Sequence, residues 1–112
     1  MDVLANAKKH FNGRQELRGP ILVPEWSDDP AQPLAVYYKI PNMGTRAKMS
    51  RALDEGGLEG IVTCLILMAL DADGKPMFQK AQKAELMRSV DPFIIERIAS
   101  EMDVTAPDLG ES

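Results

Sequence analysis

"LEGIVTCLILMAL", residues 58–70, is the stretch whose reading decides the fold. It is apolar nearly all round, the mark of a buried element, but its two secondary-structure signals disagree. Ile61, Val62, Thr63 and Ile66 are β-branched and favour a strand, whereas thirteen residues exceed the usual strand length. Length decides: the segment is expected to be a central helix from about Leu58 to Leu70, buried on all faces and with Leu67 in the core.

The helix runs into "LDADGKPMF", residues 70–78, where two carboxylates before a glycine resemble the start of a calcium loop. With Gly74 at the sixth position of an EF-hand, Asp71 and Asp73 take the third and fifth. Ala69 then stands at the first and Lys80 at the twelfth, where oxygen ligands are required. The stretch is expected to be a turn, with Gly74 at positive φ and Asp73 bonding nearby backbone.

Upstream, Thr45 is the expected N-cap of a helix through Ala52 to about Glu55, with Met49, Ala52 and Leu53 on one face and Gly56 as its stop. Downstream, "KAQKAELMRS" predicts a further helix with Ala81, Ala84, Met87 and Leu86 facing inward. Asp91 followed by Pro92 predicts an N-cap and first helical residue, with Ile94, Ile95, Ile98, Ala99 and Met102 as a wide apolar stripe behind them.

Toward the N-terminus, Val3, Leu4, Ala7 and Phe11 have helical spacing across about Asp2 to Phe11, with Lys8 and Lys9 opposite. "LRGPILVPEW" and "LAVYYKI" read as two strands joined by the Pro-containing "SDDPAQP". Leu34, Val36, Tyr38 and Ile40 alternate with more polar neighbours and should face the core, while Pro24 marks the first strand as an edge. The expected fold is α+β and helix-dominated: a small N-terminal two-stranded sheet followed by three to four packed helices. Residues 1–104 form one globular domain, and residues 105–112, "TAPDLGES", form a disordered acidic tail.

The bounds on function are mostly exclusions. A chain of 112 residues that is 45% hydrophobic is long enough to fold without metals or disulfides. Its one cysteine, Cys64, lies inside the apolar run and reads as a small buried hydrophobe. "MDVLANAKKHF" has its positive charge after a short apolar stretch, the reverse of a signal peptide. Residues 61–70, the longest apolar run, are about half of the roughly 20 residues a bilayer requires. A soluble, intracellular protein with no membrane partner is expected.

Thirteen basic against seventeen acidic residues give a net charge of −4. Lys39, Arg46, Lys48 and Arg51 cluster without an acid before Asp54, and from Asp91 onward acids are opposed by Arg97 alone. The overall sign argues against nucleic acid as a partner, and four basic groups are few for a phosphate footprint. The cluster is expected to be a solvated helix face.

No constellation of residues carries catalysis. His10 has lysines beside it and no orienting carboxylate, Glu16, Glu25, Asp28 and Asp29 read as solvating loop charges, and "GLEG" at 57–60 lacks the spacing of a dinucleotide fingerprint. No cofactor or metal is expected. Binding remains. Seven methionines is a high count, and Met43, Met49, Met77 and Met87 flank elements rather than lying in the longest apolar run. Thioethers fill irregular cores and also make adaptable binding surfaces. Composition does not choose between the two.

The order of the segments adds a resemblance. Two strands ending "VYYKIPNMGTRAKM", an apolar helix running into "LDADGKPMF", then "QKAQKAEL" and "DPFIIERIASEM", resemble the tail assembly chaperones of long-tailed bacteriophages, prophages and gene-transfer agents, over about residues 20–103. The resemblance implies a noncatalytic protein that acts in the cytoplasm of the bacterial host and is absent from the mature virion. It implies binding to the tape measure protein and recruitment of tail tube subunits, and a longer form made by ribosomal frameshifting. Met43, Met49 and Met87 are the candidate partner-binding residues. Two other classes remain open: a small DNA-binding regulator using the Thr45–Glu55 helix, and a ligand carrier or enzyme with a pocket lined by Trp26, Tyr37 and Tyr38.

Overall fold

The computed structural model describes residues 2–29 and 31–102, so the expected tail at 105–112 lies outside the described residues. The elements in chain order are α1 (Val3–Asn12), β1 (Arg18–Val23), β2 (Leu34–Tyr38), α2 (Met43–Gly56), α3 (Leu58–Met68), α4 (Lys83–Ser89) and α5 (Pro92–Glu101), with short 3-10 turns at Pro24–Trp26 and Lys80–Gln82. The fold is α+β and helix-dominated, with a two-stranded antiparallel sheet ahead of four helices.

Residues 58–68 are helical, as their length predicts, but α3 is not buried on every face. Val62, Cys64, Leu65 and Met68 enter the core, while Leu58 and Leu67 are exposed, Leu67 at 37%. The expectation that Leu67 is a core residue is therefore corrected. A helix this apolar still turns one side outward, because α2, α4 and α5 cover only part of its circumference.

Gly60 explains the glycines of "GLEG". A Cβ at Gly60 would collide with the Ala52 carbonyl and the Leu53 Cα, so this position permits α3 to press its backbone against α2. The two helices form a hairpin through Gly57.

The remaining boundaries follow local chemistry. α2 starts two residues before the expected Thr45 cap, because the Asn42 Oδ1 accepts from the Thr45 N–H at 2.8 Å and makes Asn42 the N-cap. Asp91 caps α5 as its sequence predicts, accepting from the Phe93 N–H at 2.9 Å with Pro92 in the first turn. In "LDADGKPMF", Gly74 has φ +81°, as expected of the turn. The capping carboxylate is Asp71 rather than Asp73: its Oδ1 accepts from the N–H groups of Asp73 (2.8 Å) and Lys75 (3.0 Å). The turn also extends the sheet, since Leu70 exchanges backbone hydrogen bonds with Tyr37 at 2.8 Å each way.

β1 and β2 pair with Val23 opposite Leu34 and Ile21 opposite Val36. Ile21, Val23 and Val36 point into the core, and Leu34 and Tyr38 pack against its margin. Pro24 opens the 3-10 turn that ends β1 rather than lying within the strand. The core joins these strand residues to Met49, to the inner face of α3, to Leu86, and to Ile94, Ile95, Ile98, Ala99 and Met102. A fully buried side chain such as Leu65 or Ile98 contributes roughly 1.5–3 kcal/mol relative to exposure.

In α4 only Leu86 is buried. Ala81, Ala84 and Met87 are exposed, so the expected inward face is rotated toward Leu86. The helix is only seven residues long and rests on α3 by one edge. Among the described residues, no helix is long and apolar enough to cross a membrane.

Candidate functional site

A concavity with a volume of about 490 Å³ lies where the sheet, α2 and the ends of α3 and α5 converge. One side of α2 lines it through Met43, Arg46, Ala47, Met49, Ser50 and Leu53, which recur at the three- and four-residue steps of one helical face. Tyr38 and the following Lys39, Ile40 and Pro41 form the opposite wall. Met68, at the end of α3, and Met102, the C-cap of α5, close the bottom.

Its rim is basic. Lys39 and Arg46 come from the cluster visible in the sequence, and Arg14 and Arg18 join them from the segment after α1. The Gln15 side-chain N–H donates to the Ile40 carbonyl at 3.1 Å, which fastens that segment to the β2–α2 connection and sets Arg14 beside the cleft. Among the described residues, Arg14, Lys39 and Arg46 take no ion-pair partner; Arg18 approaches Glu16 only to 3.7 Å. Among the described residues, the Arg18 Nε–H is shielded from solvent and has no hydrogen-bond acceptor.

A second cleft of about 430 Å³ is almost wholly apolar, lined by Trp26, Leu34, Met77, Phe78, Leu86 and Val90. The Trp26 and Phe78 rings meet edge to face at 6.0 Å and 84°.

These positions separate the residues singled out from the sequence. Met43 is 81% exposed on the lip of the basic cleft. Met49, 7% exposed, belongs to the core and lines the cleft floor, and Met87, 46% exposed, lies on α4 and lines neither cleft. The three methionines do not form one surface. Trp26, Tyr37 and Tyr38 do not share a pocket either: Trp26 lines the apolar cleft, Tyr38 the basic one, and Tyr37 is engaged through its backbone with Leu70. Arg14, Arg18, Met68 and Met102 had no signal as a group, because they are brought together from three distant parts of the chain.

Outside the cleft, Cys64, Glu25 and Asp71 have structural roles. Cys64 is fully buried, its Sγ–H lies 3.8 Å from the Met49 carbonyl, and burial pushes its thiol pKa up, away from the reactive thiolate. Glu25, expected to be a solvated loop charge, instead accepts two hydrogen bonds from Arg97 of α5, at 2.8 and 3.0 Å. Those bonds, with a contribution from its own backbone N–H, lower its pKa to about 2. Asp71 is engaged by the turn, and among the described residues no group of three or more His, Cys, Asp or Glu side chains could hold a metal ion. His10 is exposed on α1.

The chain superposes on the structure of the bacteriophage HK97 tail assembly chaperone with a TM-score of 0.60, covering 95% of this chain and 100% of that one at 15% sequence identity. The two share a fold. No protein-family model matches the sequence, and no curated protein matches it.

Proposed function

We propose that the protein is a noncatalytic tail assembly chaperone that binds a phage tape measure protein and supports assembly of the tail tube around it. The observation that carries this reading is the fold shared with the HK97 tail assembly chaperone over 95% of the chain. It agrees with the ordered resemblance of residues 20–103 to such chaperones. The reading places the protein in the cytoplasm of the bacterial host during morphogenesis and leaves it out of the finished virion.

The surface supports a binding role. A concave site with a methionine floor and a basic rim offers shape and charge to a protein segment, and its thioethers can repack against several related segments at little strain. A tape measure protein, long and rich in amphipathic helices, presents many such segments. Co-expression of the 112-residue chain with the tape measure protein of the same gene cluster should keep the latter soluble and yield a complex of the two. Recovery of an insoluble tape measure protein, with no complex at any of several salt concentrations while the chain itself is folded, would remove this reading.

A further inference from the structure

We infer that the cleft between Tyr38, α2 and the C-cap of α5 is the docking site for an amphipathic helix whose apolar face is flanked by carboxylates. Its identification with a tape measure segment rests on the chaperone reading, while the chemistry of the occupant follows from the cleft. Met49, Met68 and Met102 supply an apolar floor, and Arg14, Arg18 and Arg46 stand around it.

The charges point to an acid. The protein is negative overall, yet four cationic side chains, these three and Lys39, border a single concavity. Among the described residues, three of them have no ion-pair partner, and the fourth, Arg18, reaches Glu16 only at 3.7 Å and finds no acceptor for its Nε–H. Maintaining like charges around one opening is unfavourable unless solvent or an anion compensates it. Carboxylates on either side of an apolar stripe would meet the guanidinium groups while the stripe enters the floor.

The walls point to a helix. They present side chains rather than a strand edge, so an occupant must satisfy its own backbone hydrogen bonds, as a helix does. The exposed Met43 at the lip can fold over the docked segment, because its side chain is unbranched and held by no buried contact.

The full chain, labelled at its methionine methyls, is titrated with a synthetic amphipathic helix of about five turns carrying Leu on one face and Glu on both flanks, and with a twin in which Lys replaces Glu. The Glu peptide should shift the Met43, Met49, Met68 and Met102 methyls and leave Met77 and Met87 in place. The Lys peptide, and the Glu peptide against Arg14→Glu/Arg46→Glu, should bind at least about tenfold more weakly. Equal binding of the two peptides, or shifts confined to Met77 and Met87, would overturn the inference. So would cleft-methyl shifts in the free chain that depend on its concentration, which would make a second copy the occupant. Movement of those methyls on Asp108→Lys/Glu111→Lys, without peptide, would make residues 103–112 the occupant and overturn it equally. Co-purification with the tape measure protein tests the functional reading separately: a complex that survives Arg14→Glu/Arg46→Glu undiminished leaves that reading standing and removes this site.

Discussion

Helices α1 and α5 look alike in the sequence and behave differently in the fold. Each is ten residues long, each starts at an aspartate whose Oδ1 accepts a backbone N–H, and each carries apolar residues at helical spacing. α5 buries Ile94, Ile95, Ile98 and Ala99 against α3 and β1; no residue of α1 is buried, and Val3 and Leu4 are 69% and 65% exposed. Amphipathic spacing says that a helix has a face available for burial. It does not say that another element arrives to cover it. α5 follows α4 directly and carries Arg97, which clamps Glu25 beside β1, whereas α1 precedes a connector that fastens to Ile40 through Gln15, and none of the described residues buries Val3 or Leu4.

The largest test of that contrast places a carboxylate on each helix. Ile98→Asp should leave the protein unfolded or insoluble, because an unpaired charge at a fully buried site costs an amount comparable with the roughly 5–15 kcal/mol stability of a whole domain. Leu4→Asp should change stability by no more than about 0.5 kcal/mol. A folded Ile98→Asp protein with unchanged thermal melting would mean that α5 is not held as described. The α2–α3 hairpin provides a second helix pairing to set beside α1. Gly60→Ala should destabilise by roughly 1–3 kcal/mol in denaturant unfolding, since the added methyl must push α2 and α3 apart.

The caps sharpen the comparison further. Asp91→Ala should lower global stability by about 1 kcal/mol, whereas Asp2→Ala should increase amide exchange in α1 and leave the global unfolding midpoint unmoved. Equal global effects would show that α1 is coupled to the core after all.

The smallest effect belongs to the Glu25–Arg97 pair, which is half exposed and screened by solvent. Its sign is fixed by the lowered Glu25 pKa. The contribution is fully present above the ordinary carboxylate value of 4.5 and is lost as pH falls from there through about 2. The thermal stability of the wild type should therefore exceed that of Glu25→Gln at neutral pH, and the two should converge across that acid window. A difference that persists unchanged at pH 2 would mean that the carboxylate is not the source of the stabilisation.

The sequence by itself determined the order and kind of the elements, because these depend on local chemistry. A mostly apolar run of thirteen residues is too long for a strand, Asp91–Pro92 starts a helix, Gly74 turns the chain, and Val36 alternates inward on β2. The same local rules could not place Leu67 or Met87 correctly, since whether a side of α3 or α4 is covered depends on how far neighbouring elements extend. Nor could they find the cleft. Lys39 and Arg46 were visible as a basic cluster, but Arg14 and Arg18 reach them only through the β1–β2 pairing and the Gln15–Ile40 hydrogen bond, and Met68 and Met102 only through packing of α3 and α5 beneath α2. Met49 was legible as a face of α2 yet was also read as a surface methionine, and only burial decided between core and partner. Helix phase and turn chemistry are properties of a few neighbouring residues; a concave site is a property of segments tens of residues apart, and its charge and floor exist only once the core has drawn those segments together.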